Sequence, residues 1–260
     1  MEALDQVPRF VLIVLGLFIG TLVLMEIGRR LGTWRIARNP AGVAAGTGAG
    51  SAVFGLMGLL IGFTFSSADS RFDWRRQLTV QEVNAIGTAY RCLDTLPAPS
   101  QPPLRNLFRE YLEERIKVYE SVPSLDIEGT DLPRIAELQR AIWTQAVAAT
   151  SQAGSPAVMT LTLQSLNQMI DLTTTRSAAT QMHMPSIILI MLGLLVLTCA
   201  LLAGYDTARS PKRSWSHILG FAVLMTLAVY VILDLEYPRV GLIRVDPLDR
   251  RMVDLRRSMD

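Results

Sequence analysis

Gly48 to Ser67 reads GAGSAVFGLMGLLIGFTFSS, twenty residues without a single charge. The hydrocarbon core of a bilayer is about 30 Å thick and takes about 20 apolar residues of helix at 1.5 Å rise each. The stretch meets that length, so the solvent of this part of the chain is lipid. Five glycines punctuate it, and Gly55, Gly58 and Gly62 fall on one side of a helix, with Phe54, Phe63 and Phe65 around them. Small residues in such a stripe let membrane helices approach closely. The same stripe leaves room along a pore, where aromatic rings form an apolar constriction. Gly55, Gly58, Gly62 and Phe65 are therefore candidates for pore lining or for helix packing, and the residues alone leave both open.

Working outward, three further segments reach membrane-spanning length. Phe10 to Ile27 carries only Glu26 near its end, while Ser186 to Tyr205 and Ser216 to Leu233 carry no charge at all. The first is expected to be retained as a membrane anchor and not cleaved as a signal peptide, since its preceding region is acidic (Glu2, Asp5, with only Arg9 basic). Glu26-Ile-Gly-Arg-Arg30 stands where a small-residue cleavage site belongs. With 50% hydrophobic and 18% charged residues, the chain is partly lipid-embedded and partly wet. The expected fold class is all-α: a polytopic membrane protein with four transmembrane helices and a helical soluble bundle inserted between helices two and three. The expected divisions are 1–68 (helices one and two), 69–184 (extramembrane domain), 185–236 (helices three and four) and 237–260 (C-terminal tail).

Helix formers without proline continue from Ser70 to Leu96, so helix two runs out of the membrane until Pro97. The proline-rich Pro97 to Pro103 breaks it. Leu104, Leu107, Phe108, Tyr111, Leu112, Ile116 and Tyr119 then recur at helical spacing, and Ile135, Leu138, Ile142, Ala146 and Ala149 form the next apolar stripe. Asp131 is the expected cap of that helix. Ser155 followed by Pro156 reads as a cap with proline in the first turn, opening a helix toward Met184. Pro185 either kinks that helix or starts a fresh one.

The polar residues within these patterns define the remaining candidates. Glu82 and Asn84 sit on a helix that must also bury Val80, Val83 and Ile86, so they are expected to be buried and to need partners. Asn167, Asp171 and Arg176 are the expected suppliers. Glu26 lies at the inner end of helix one, where Arg29 and Arg30 at i+3 and i+4 neutralise it. Asp69 and Arg71 alternate in sign where helix two leaves the bilayer, as charges of a pore mouth or of the interface. Asp234 and Glu236 close helix four, with Arg239 placed to fold back onto either.

Arg29, Arg30, Arg35 and Arg38 follow helix one, and Arg209, Lys212 and Arg213 follow helix three. The positive-inside rule assigns that side to the cytoplasm and the large middle domain to the outer face of an inner membrane. Net charge is +2 with no long basic run, so no nucleic-acid partner is implied. Two cysteines, one in an apolar segment, and two isolated histidines make neither a disulfide framework nor a metal cluster. No cofactor or metal is implied. Without a nucleophile–base pair or phosphate loop, the residues do not read as an enzyme.

Gly62-Phe-Thr-Phe-Ser-Ser-Ala-Asp-Ser-Arg71-Phe-Asp, then Glu82-Val-Asn84-Ala-Ile-Gly-Thr-Ala-Tyr90 and Leu93-Asp94, resemble a family of bacterial membrane proteins called bestrophin-like. The closing Asp234-Leu-Glu-Tyr-Pro238-Arg-Val-Gly241-Leu-Ile is similar to that family's C-terminal signature. The resemblance implies kinship with bestrophins, pentameric anion channels whose second membrane helix lines the pore. On that basis the chain is expected to self-associate in the bilayer as an anion channel, with inorganic ions as its cargo. The alternative is a non-conducting sensor or scaffold acting through protein contacts of its helical domain.

Overall fold

A computed structural model of the chain describes residues 2–38, 47–121, 132–210, 213–237, 242–243 and 246–260. Among these residues every regular element is a helix: α1 (Glu2–Arg38), α2 (Thr47–Cys92), α3 (Gln101–Ser121), α4 (Leu132–Ala153), α5 (Pro156–Gln181), α6 (Ser186–Thr207), α7 (Trp215–Glu236) and α8 (Asp246–Arg257). The chain forms two compact units, Met1–Arg71 with His183–Gly241, and Phe72–Met182 with Leu242–Asp260.

The first unit holds the apolar helices. Four helical stretches are long and apolar enough to cross a membrane, carried by α1, α2, α6 and α7. α1 lies along α6 at backbone contact. A Cβ added at Gly204 would sit 2.0 Å from the Met25 carbonyl oxygen, and one at Gly28 would sit 2.0 Å from that of Leu201. Gly32 is equally confined, 2.5 Å from the Ala208 Cβ. Only glycine permits such an approach in a membrane, where helices associate by packing and not by escape from water. Two buried hydroxyls within the apolar helices are satisfied locally: Thr21 donates to the Leu17 carbonyl at 2.8 Å and Thr64 to that of Leu60 at 2.8 Å.

The second unit is an extramembrane helical bundle. Ile135, Leu138, Ile142, Ala146 and Ala149 of α4 are all buried, as are Leu104, Phe108, Tyr111 and Leu112 of α3 and Leu166 and Met169 of α5. Gly154 ends α4 with φ 65°, the left-handed conformation glycine adopts without strain. Ser155 caps α5, its side chain accepting from the Val158 N–H, and Pro156 occupies the first turn. Asp131 lies outside the described residues. α5 stops at Gln181 and α6 begins afresh at Ser186, so Pro185 starts a new helix and does not kink an old one.

The tail is not a loose end. α8 docks on α3, with Met252 and Met259 in the bundle core. Arg109 donates to the Met259 carbonyl through Nε at 3.0 Å and Nη2 at 2.7 Å, and the Tyr90 hydroxyl donates to the same oxygen at 3.2 Å. Arg256 grips Glu113 at 2.7 Å.

Candidate functional site

One face of α2 stands bare. A Cβ built at Gly55, Gly58 or Gly62 meets nothing within 4 Å, and each of these glycines is exposed. Phe65 continues the face three residues beyond Gly62 and is 43% exposed, and Asp69, four residues later, is exposed as well. The helix-packing alternative therefore fails within a single chain: the tight glycine contacts are those of Gly28, Gly32 and Gly204. Gly28-x-x-x-Gly32 has the same small-residue spacing as the stripe of helix two, and spacing alone does not say which of them packs within the chain. The adjoining face of α2 is the one that packs. Met57, Thr64 and Ala68 are buried there. The Phe54 ring meets Phe221 of α7 edge-on at 6.4 Å between centroids.

Where α2 leaves the apolar region, Arg71 closes a polar cluster within the same unit. Its Nη2 and Nε donate to Glu236 Oε2 at 2.8 and 3.0 Å, and its Nη1 donates to the Ser67 hydroxyl at 2.7 Å. The other oxygen of Glu236 accepts the Met184 backbone N–H at 2.6 Å. His183 Nδ1 lies 3.6 Å from that oxygen, and its ring stacks at a tilt on Tyr237. A carboxylate held by a bidentate arginine and a backbone N–H is a fixed structural joint between α2, α7 and the turn before α6. Glu236 and Asp234 are both buried within the chain, Glu236 against Arg71. α7 ends at Glu236, with both carboxylates inside. Arg239, the expected partner, lies outside the described residues.

Glu26 pairs with Arg30 at 3.0 Å, as the i, i+4 spacing requires, and also with Arg213 at 2.7 Å, which ties α1 to the start of α7.

In the extramembrane unit, Glu82 is fully buried between Arg115 and Arg176. It bonds Arg115 Nη2 through one oxygen and accepts from Arg176 Nη1 at 2.7 Å through the other. Thr173 donates to Glu82 at 3.3 Å, and the Tyr111 hydroxyl shares a 2.7 Å bond with Thr173. Burial pushes the Tyr111 phenol above its ordinary range, so it stays protonated in this network. Arg176 was among the expected partners; Arg115 was not. Its signal was an arginine on the apolar stripe of α3, in step with Phe108, Tyr111 and Leu112. Asn84, Asn167 and Asp171 are corrections, for all three are exposed. Asn167 and Asp171 bond each other at 2.9 Å across one helical turn and not to Glu82. The bundle's polar core is thus ionic, and amides are kept at its surface. Arg75 is buried separately, donating to the carbonyls of Ala179 at 3.2 Å and Met182 at 2.6 Å, where a cation suits the negative end of α5.

No group of three or more metal-ligating side chains occurs among the described residues. The fold and its charges define a four-pass, all-helical membrane protein. The sequence pattern of the bestrophin-like domain spans residues 15–249. The chain belongs to the bestrophin-like family. Its fold is similar to crystal structures of a bacterial bestrophin homolog from Klebsiella pneumoniae. One is a single-substitution variant, at TM-score 0.72 and 15% identity, covering 95% of this chain and 96% of that one. Another, phased on zinc, matches at TM-score 0.69 and 14% identity over 93% and 96%. No curated protein matches the chain.

Proposed function

We propose that copies of this chain assemble around a common axis in the bacterial inner membrane, with the bare face of α2 lining a path for anions. The carrying observation is that face: Gly55, Gly58, Gly62, Phe65 and Asp69 in line, with no atom within 4 Å of where a Cβ would stand on the glycines. Small residues leave width for an ion, and Phe65 supplies an apolar ring that holds back water until it widens. Asp69 and Arg71 lie at the mouth, Arg71 with its charge already committed to Glu236. The family membership supports the reading.

Purified protein in liposomes is expected to release chloride faster than empty vesicles do. Gly58→Trp is expected to abolish most of that flux while leaving the chain folded, because its own chain leaves space there. Wild-type vesicles no leakier than empty ones across several salts would sink the proposal.

The orientation we propose puts the arginine-rich ends of α1 and α6 in the cytoplasm and residues 69–184 on the outer face. Cys92 and Cys199 are buried, so introduced thiols report selectively. An impermeant maleimide on cells with an opened outer membrane is expected to label Arg140→Cys and to spare Arg35→Cys. The reverse pattern would invert the topology.

A further inference from the structure

The arginine-rich edge of the apolar unit carries more than an orientation signal. On α1 an exposed apolar ridge runs through Leu12, Ile19, Ile27 and Leu31 and ends at Trp34. Leu12 to Trp34 spans about 33 Å of helix, close to the thickness of the hydrocarbon core. Trp34 therefore stands at a membrane–water boundary, where indole rings concentrate. α7 begins with an exposed Trp215 and runs about 33 Å to Glu236, which places Trp215 at a boundary too. The two tryptophans share one edge, because Gly32 meets Ala208 at the end of α6 and Arg213 reaches Glu26 on α1.

Each tryptophan carries an arginine. The Arg38 guanidinium carbon lies 4.1 Å from the centre of the Trp34 ring, and that of Arg213 lies 4.1 Å from the centre of Trp215. A guanidinium stacked on an indole keeps its N–H edge turned outward in the fork geometry that fits phosphate. Six arginines (29, 30, 35, 38, 209 and 213) crowd this edge against Glu26 and Asp206, and Arg30 and Arg213 already bracket Glu26. The carboxylate is spent, the positive excess remains, and it sits at headgroup depth.

We propose that this edge binds the phosphate headgroups of anionic phospholipids, with Arg35 and Arg38 as chief contacts and Trp34 and Trp215 as the walls that set their depth. The surface is built for a phosphate attached to acyl chains, since the apolar ridge leads directly into the arginine pair. A basic residue near an anionic surface contributes about fivefold in affinity.

The full-length protein in detergent is expected to retain phosphatidylglycerol over phosphatidylcholine in native mass spectrometry. The double variant Arg35→Gln/Arg38→Gln is expected to lose that retention about 20-fold. The exposed pair Arg134→Gln/Arg140→Gln on α4, removing equal charge elsewhere, is expected to leave it unchanged. Inorganic phosphate in large excess should not displace the lipid. The proposal is overturned if the first pair retains phosphatidylglycerol like the wild type, if the control pair loses as much, or if inorganic phosphate displaces it. Unchanged thermal stability of both variants guards the comparison, and Trp34→Ala, expected to weaken retention without altering charge, checks it should either pair fail to fold.

Discussion

Replacing Glu82 by alanine is expected to lower the stability of the extramembrane bundle by about 3–5 kcal/mol, the cost of stranding a buried charge. Arg115 and Arg176 are 1% and 4% exposed in their side chains, and Glu82 is wholly buried between them. Removing the carboxylate leaves two guanidinium groups in a low-dielectric core, where mutual repulsion adds to their lost solvation. For a bundle of this size the loss corresponds to a fall of roughly 10–20 °C in Tm. The partly buried Trp143 offers a fluorescence readout within the unit. A second variant separates charge from shape: Glu82→Leu/Arg115→Met/Arg176→Met removes the whole ionic set and is expected to recover most of the stability. If the single variant melted within a degree or two of wild type, the triad would not be a structural element of the core.

Gly204→Ala is expected to disrupt the apolar unit more than any other single methyl addition among its described residues. The new carbon would stand 2.0 Å from the Met25 carbonyl oxygen and 2.7 Å from the Met25 Cα. Backbone cannot rotate out of the way as a side chain does, so α1 and α6 must separate along their length. Overpacking costs of about 1–3 kcal/mol apply where side chains yield, and a helix–helix backbone contact yields less. The variant is expected to lose yield and to elute as aggregate from detergent, whereas Gly58→Ala behaves as wild type on both counts. Equal behaviour of the two variants would mean that the α1–α6 contact is not the seam that holds the unit.

That contrast marks what could be read from the residues and what could not. Charge-free runs of the required length located the membrane helices, because the bilayer imposes length and apolarity on any helix within it. The stripes of α3 and α4 located the bundle core for the same kind of reason. Which glycine stripe packs inward was not legible. Gly204 is distant in sequence from Gly28 and Gly32, and each stripe on its own satisfies the same small-residue pattern. Polar partners were legible only in part. Arg176 was found by the need of Glu82 for a counter-charge. Arg115 was missed because a long arginine on an apolar stripe reads as a side chain stretching to solvent. Asn84, Asn167 and Asp171 failed because an amide or acid beside a buried position can turn outward by one step of helix. Glu236 was matched to the nearest arginine in sequence, while its partner Arg71 lies 165 residues away.

The docking of α8 carries a consequence for how the chain is made. Met252 and Met259 fill the core of a bundle whose other helices, α2 through α5, are synthesised long before them. Between those two events the ribosome must deliver α6 and α7 into the bilayer. Throughout that interval the bundle has an open apolar slot facing α3, with Tyr90 and Arg109 lacking the carbonyl that they later share. Closure of this unit therefore waits on α8, the segment made after both α6 and α7, and not on the helices that form most of its core.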